Sequence, residues 1–423
     1  MIEELKAEGH PLAVLVSVNL GVSDSDFEAS LEELERLLQT AGGECFAKLI
    51  QNKDSITGAT YIGSGKLKEL NDLCKNNDIH MAIFDCELSP MQIRNIENAL
   101  EDVRVIDRSM LILDIFALHA KSSAGKLQVE LAQLKYTMPR LTGRGTELSR
   151  LAGGIGTRGP GESQLELDRR HLTRRVHALQ ERLCRLEEHR RTQREKRDRS
   201  GIVKAAIVGY TNAGKSTLLN RLTDAGILAE DQLFATLDPT TRRFVTDSGV
   251  ELLLTDTVGF IRNLPHHLVK AFKSTLDEIV YADFLILVAD ASDKECDKKL
   301  LVTRSVIEEL GAGDKPVILV YNKADCLLNT LGVPFNAAPS EQTVYISAKT
   351  GEGCEDLCRM IEKELQKHKC RTVFLFGFSD QAKQSALYRC AEVIETEYTE
   401  NGARITAIAD AKTRGMFEDY IIS

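Results

Sequence analysis

Along roughly the first hundred residues, short apolar runs alternate with stretches whose apolar positions recur every three or four residues. The runs are LAVLVSVNLG, CFAKLIQ, MAIFDCE and VRVIDR, and the helical patterns include DFEASLEELERLLQT and SPMQIRNIENAL. Near-continuous apolar runs suit strands buried on both faces, and their alternation with helices predicts a small parallel α/β sheet. Residues 1–110 are therefore read as an N-terminal α/β domain.

The period then changes. Leu127, Leu131, Leu134 and Met138 form one helical seam, which stops at Pro139 because proline cannot continue a helix. A second seam runs through Leu165, Leu172, Val176, Leu179, Leu183 and Leu186. Two heptad-like seams flanking LAGGIGTRGPGE predict an antiparallel helical hairpin over 111–200 with that stretch at its tip. From Gly201 strands and helices alternate again, predicting a doubly wound domain over 201–368. A strand, a helix and a hairpin turning at Asn401 and Gly402 then predict a small α/β accessory domain over 369–423.

Composition narrows the class. With 43% apolar and 28% charged residues, the 423-residue chain is that of a globular protein of about three domains. Its start is acidic and reaches only a short apolar run, unlike a secretory signal, and no stretch approaches the ~20 apolar residues of a membrane span. Ten cysteines without regular spacing suggest reduced thiols and a cytoplasmic setting. Cys354, Cys358, His368 and Cys370 match no standard zinc spacing. Nothing demands a dimer, and a monomer is expected.

Charge redraws the hairpin. The chain carries a net charge of −9, yet Lys121 to Lys204 alone sums to +10 and the remainder to −19. A basic arm on an acidic body can find a polyanion locally, although a solvated helix face would carry the same residues. Arg140, Arg144, Arg150 and Arg158 lie near the tip among glycines that include Gly153, Gly154, Gly156 and Gly159. Glycines permit close backbone approach and arginines pair with phosphates or stack on bases, so the tip is a candidate RNA contact, with a linker as the alternative.

The most specific chemistry is VKAAIVGYTNAGKSTLLNRL. A strand runs into Gly209, Tyr210, Thr211, Asn212, Ala213, Gly214, Lys215, Ser216 and Thr217 and then into a helix, the context that GxxxxGK[ST] requires. Backbone N–H groups surround phosphates there, Lys215 neutralises the β and γ oxygens, and Ser216 offers a hydroxyl to Mg2+. LLLTDTVGF ends another strand with Asp256, Thr257, Val258 and Gly259: Asp256 can hold Mg2+ through water, and Gly259 can present its N–H to the γ-phosphate. Between these motifs Phe234, Ala235, Thr236 and Leu237 form a switch loop in which the Thr236 hydroxyl closes on Mg2+. Lys215, Thr236 and Gly259 are the candidate catalytic residues.

Selectivity for guanine is assigned to Asn322, Lys323 and Asp325 at one strand end and to Ser347, Ala348 and Lys349 at the next. Asp325 can accept two hydrogen bonds from a guanine edge that adenine does not offer, and the Ala348 N–H can meet the guanine carbonyl. Phe260 occupies the place where many GTPases carry a water-positioning glutamine, so slow intrinsic hydrolysis is expected. Asn212 is a candidate K+ ligand, with a loop-bracing amide as the alternative. In the N-terminal domain YIGSGKLKEL only loosely resembles a phosphate loop, since Lys66 is followed by Leu67.

These elements, together with IGSGKLKEL, LAGGIGTRGPGESQLELDRR, LFATLDPTTRR and GFIRNLPHHLVKAF, make the chain resemble the HflX family of ribosome-associated GTPases over essentially its whole length. The resemblance implies GTP and GDP as ligands, Mg2+ as cofactor and the large ribosomal subunit as partner. It further implies splitting or rescue of idle or stalled ribosomes in the GTP form, with the tip contacting ribosomal RNA near the peptidyl transferase centre. Two other readings stay open on the residues: a GTP-dependent signalling switch with a protein effector, and an ATP-assisted RNA remodeller using the N-terminal GSGK.

Overall fold

The computed structural model describes residues 11–100, 102–140, 160–198, 202–223, 233–234, 238–246, 249–263, 265, 268–269, 272–327, 342–367, 370–409 and 411–422. Contacts divide the chain into two compact units. The first comprises 1–185, 230–238 and 261–274, and the second comprises 186–229, 239–260 and 275–423.

In the first unit β1 (Leu12–Asn19), α1 (Asp24–Ala41), β2 (Glu44–Asn52), α2 (Ser64–Asn76), β3 (Met81–Phe84), α3 (Pro90–Ala99) and β4 (Arg104–Asp107) build a four-stranded parallel sheet of order β2-β1-β3-β4. The helix starts are written locally. Ser23 caps α1, and Ser89 with Gln92 forms a reciprocal capping box ahead of α3, whose first residue is Pro90. Next comes α4 (Arg108–His119), capped by Asp107 and buried at every position from Leu111 to Phe116. A helix apolar on all sides belongs inside a fold, and this one packs on both α1 and α5 (Ser123–Thr137).

The two helices on either side of the tip sequence, α5 and α6 (Pro160–Asp198), differ in how they use their apolar stripes. Along α5 the fully buried positions are Ala124, Gly125, Gln128, Val129, Ala132 and Tyr136, while the expected seam of Leu127, Leu131, Leu134 and Met138 is only half-buried. Small side chains let α5 lie close to α4, which displaces the buried stripe from the leucines. On the 39-residue α6 the expected seam does buy burial, with Val176, Leu179 and Leu183 each under 10% exposed. Arg175 of α6 donates to Glu130 of α5 at 2.8 Å.

The second unit carries β5 (Val203–Gly209), α7 (Lys215–Thr223), β6 (Thr240–Val245), β7 (Glu251–Asp256), β8 (Phe284–Asp290), α9 (Cys296–Glu309), β9 (Val317–Asn322), α10 (Ala324–Leu327), β10 (Thr343–Tyr345) and α11 (Cys354–Lys367); α8 (Lys273–Tyr281) starts at the boundary between the units. The sheet order is β10-β9-β8-β5-β7-β6, with only β6 antiparallel to its neighbour. Ile207, Leu254, Ile286 and Val320 lie in its core. A separate three-stranded antiparallel sheet, β11 (Cys370–Phe376), β13 (Gly402–Ala409) and β12 (Glu392–Thr399), packs with α12 (Gln381–Cys390) and α13 (Ala411–Met416) around Phe374, Phe376 and Phe417. Among the described residues no helix is long and apolar enough to cross a membrane.

Candidate functional site

Parallel strands end on the same side of their sheet, so β5, β7, β9 and β10 deliver the loops after them to one rim. Four sequence motifs meet there. Gly209–Ser216 leaves β5, Asp256–Gly259 leaves β7, Asn322–Asp325 leaves β9 and Ser347–Lys349 follows β10.

The loop after β5 is shaped to receive phosphate. Gly214 has φ +90°, and a Cβ there would run into Asn322 Nδ2, so only glycine fits. Asn212 also takes a left-handed conformation, φ +62°. The Lys215 ammonium is buried and donates to the carbonyls of Gly209 (3.2 Å) and Tyr210 (2.8 Å). Burial pushes its pKa down to about 8, with Asp256 pulling it back up. A cation held this way gains from an arriving anion. Thr217 follows Ser216 in the first turn of α7, and Thr211 is buried next to the strand end.

Ser216 Oγ donates to Asp256 Oδ2 at 2.6 Å, and Asp256 is fully buried. A hydroxyl and a carboxylate converging beside a phosphate loop form the all-oxygen donor set that suits Mg2+. Thr257 is fixed by donation to the Ile207 carbonyl at 2.7 Å, and Val258 is buried. Gly259 leaves no room for a side chain, since a Cβ would lie 2.8 Å from Lys215 Nζ. Phe260 closes the motif through its backbone: it accepts from the Thr211 N–H at 2.8 Å and donates to the Gly209 carbonyl at 3.1 Å. Its ring is 1% exposed.

At the base end, one amide joins two loops. Asn322 Nδ2 donates to the Ala213 carbonyl and its Oδ1 accepts from the Ala348 N–H, both at 2.9 Å. The Ala348 donor, expected to meet the guanine carbonyl, is thus engaged by Asn322, because a buried carboxamide needs its acceptor satisfied. Lys323 sits at φ +64° with its ammonium 2.6 Å from Asp290 Oδ2. A hydrogen bond from Ser347 holds the Asp325 carboxyl below the usual carboxylate range. Ser347 is buried and Lys349 exposed.

Two supporting residues escaped sequence reading. Asp290 ends β8 directly opposite Asn322 in the ladder, a pairing that only the strand order reveals. Arg221 of α7 donates to the Thr350 carbonyl at 2.8 Å, bracing the loop after β10.

Other candidates fall elsewhere. Ala235, Thr236 and Leu237 lie outside the described residues, as do Arg144, Arg150, Arg158, Gly153, Gly154, Gly156 and Gly159. Phe234 is described, and its ring packs edge-on against Phe116 at 4.8 Å within the first unit. Arg140, expected with the tip arginines, is turned inward. Its guanidinium stacks 3.4 Å over the Tyr136 ring and donates to the Leu88 (2.9 Å) and Tyr136 carbonyls beside the fully buried Asp107. A buried carboxylate needs a paired cation, and Arg140 Nη2 lies 3.5 Å from Asp107 Oδ2. In the N-terminal GSGK, Lys66 pairs with Glu69 on its own helix at 2.8 Å.

Comparison with known proteins agrees with this geometry. Three family profiles match in tandem: "GTP-binding GTPase N-terminal" over residues 28–117, "GTP-binding GTPase Middle Region" over 119–197 and "50S ribosome-binding GTPase" over 204–323. The chain is 48% identical to the GTPase HflX of Lacrimispora saccharolytica over 96% of this chain and 95% of that one. It is 48% identical to that of Caldanaerobacter subterraneus subsp. tengcongensis (100% and 96%) and 41% identical to that of Escherichia coli K12 (93% and 92%). A solved structure of a GTP-binding protein from Sulfolobus solfataricus in complex with GDP is 28% identical, with a TM-score of 0.44 over 84% of this chain and 98% of that one. With its phosphate loop, its Ser216–Asp256 pair and its Asn322 staple on one sheet rim, the chain belongs to the HflX family of GTPases, enzymes that hydrolyse GTP.

Proposed function

We propose that this GTPase acts on the ribosome, associating with the large subunit and, with GTP bound, splitting or rescuing idle or stalled ribosomes. The observation that carries this reading is the charge distribution: a +10 segment, Lys121–Lys204, on a chain whose net charge is −9, built as two helices that flank the glycine- and arginine-rich tip. Such an arm delivers its cations to a polyanion while the acidic body disfavours non-specific attraction. The "50S ribosome-binding GTPase" profile over 204–323 supports the same partner. In this reading the tip, with Arg144, Arg150 and Arg158, meets ribosomal RNA near the peptidyl transferase centre.

The nucleotide roles follow from the rim. The Gly209–Ser216 backbone and Lys215 hold the phosphates, Gly259 meets the γ-phosphate, and Asp325 accepts from the guanine edge. Ser216, with Asp256 through water and Thr236 from the switch loop, would hold Mg2+, which neutralises phosphate charge when bound. Asn212 would serve a K+ ion. Phe260 turns its ring into the core and offers no group to orient water, so hydrolysis is slow until the ribosome stimulates it. Deleting residues 151–160 tests this: nucleotide affinity stays and most large-subunit-stimulated hydrolysis is lost. Stimulation equal to wild type would remove the tip from the mechanism.

A further inference from the structure

The small C-terminal sheet, of order β11-β13-β12, has two outer edges, and the chain closes one of them. Along β11, Ile421 bridges Phe374 and the Ile422 N–H donates to the Val373 carbonyl at 2.9 Å. Along the eight residues of β12, no strand or loop among the described residues pairs with the outer side. Alternate residues of an edge strand point their N–H and C=O groups away from the sheet, so β12 presents a row of donors and acceptors to solvent.

A bulge sorts the side chains beside that row. Glu392 stands opposite Ile408, Glu395 opposite Thr406 and Glu397 opposite Arg404, with the register shifting between Val393 and Glu395. In a regular strand Glu392 and Glu395, three residues apart, would fall on opposite faces. The extra residue, Ile394, brings all three glutamates onto the face shared by Arg404, Thr406 and Ile408. All three are exposed, and from Glu392 to Gly402 the chain carries four glutamates and no lysine or arginine. Arg404 reaches Glu397 at 3.5 Å, an exposed pair that neutralises little of the row.

The other face of this edge is aromatic. Tyr398, opposite Ala403, is 75% exposed, and Tyr388 of α12 is 46% exposed with its hydroxyl 2.6 Å from that of Thr396. One side of β12 thus carries anions and the other two tyrosine rings. The charge selects among occupants. A second copy of this edge would set glutamate against glutamate, and a nucleic acid would bring phosphates to the same row, whereas a strand bearing cations meets it favourably.

We propose that the outer edge of β12 binds an extended, lysine- and arginine-rich peptide segment of a partner protein as a fourth strand of this sheet. Every second side chain of that segment lies over Glu392, Glu395 and Glu397, and the intervening ones lie against Tyr388 and Tyr398. Backbone hydrogen bonds supply the affinity of such strand addition, and the side-chain rows supply its selectivity. The edge lies outside the nucleotide motifs, so the claim stands or falls independently of the ribosomal role.

The test uses the full-length protein and a fluorescent peptide of about ten residues, alternating lysine and threonine, which is long enough to span β12. Bound peptide slows amide hydrogen exchange within 392–399 at least about threefold and leaves 370–376 unchanged, because only the β12 edge gains partners. Glu392→Gln, Glu395→Gln and Glu397→Gln together weaken the peptide roughly tenfold, as the loss of three cross-strand charge pairs requires, while GDP affinity and melting temperature stay as in wild type. A fully N-methylated analogue of the peptide keeps its charges but has no N–H to donate, and it binds wild-type protein at least about tenfold more weakly. Equal binding of both peptides overturns the proposal, since charge alone would then hold them. So does unaltered exchange within 392–399, or wild-type affinity in the triple variant: the glutamates would then only guard the edge against association.

Discussion

Replacing Asn322 by alanine cuts the tie between the phosphate loop and the loop after β10. The wild-type amide satisfies a carbonyl on one side (Ala213) and an N–H on the other (Ala348), each at 2.9 Å, and is itself buried. Its loss leaves both backbone groups unpaired, at ~1–3 kcal/mol each. Water reaching the vacated space relieves part of this, so a net cost of about 2–4 kcal/mol is expected when nucleotide reassembles the rim. That corresponds to roughly 30- to 1,000-fold weaker binding. Because the staple holds both ends of the ligand and reads neither, GTP, GDP and xanthosine diphosphate all weaken together. Asp325→Asn provides the contrast: it weakens guanine nucleotides and favours xanthosine ones, whose carbonyl faces the new amide. Displacement of a fluorescent guanine nucleotide by each competitor measures all of these affinities. Binding within threefold of wild type in Asn322→Ala, or a loss confined to guanine nucleotides, would refute the staple.

Three further outcomes follow from the geometry. Phe260→Leu, which trims a ring that is 1% exposed, lowers the melting temperature by several degrees but leaves basal kcat within several-fold of wild type; a hundredfold loss of kcat would show that the ring positions water. Arg140→Ala costs about 1–3 kcal/mol in chemical denaturation and leaves the salt dependence of large-subunit binding unaltered, whereas neutralising Arg144, Arg150 and Arg158 together flattens that slope by about 2–3 units. GDP affinity is constant well below pH 8 and falls above it: the phosphates favour charged Lys215, so its pKa rises on binding from about 8, and the binding that depends on its proton is lost about tenfold per pH unit above that value. Calorimetry between pH 7 and 9.5 checks the sign, and a flat profile would contradict it.

How much was legible in the sequence depended on whether a residue's partner was local. The loop Gly209–Ser216 could be read because phosphate binding dictates its residue types at fixed spacing, and caps such as Ser23 and Ser89 leave a local signature because the N–H donors they accept from lie within one turn. Partners far along the chain were invisible. Asp290 and Lys323 meet only because β8 and β9 are neighbours, and nothing near Asp238 reveals that it accepts from Ser122, 116 residues away. Arg140 illustrates a harder limit. An arginine beside a basic tip reads as a surface cation, and only the buried Asp107, supplied by another element, turns it inward. Likewise the leucines of α5 marked a helix correctly but not its buried face, which the small residues facing α4 decide.

The ribosomal role itself is tested most directly by sedimentation of the full-length protein with purified large ribosomal subunits, with either GDP or a non-hydrolysable GTP analogue, across a range of salt concentrations. The account predicts co-sedimentation favoured by the GTP analogue and weakening steeply as salt rises, in proportion to the phosphates engaged by the hairpin. Equal binding in both nucleotide states, or binding indifferent to salt, would contradict it.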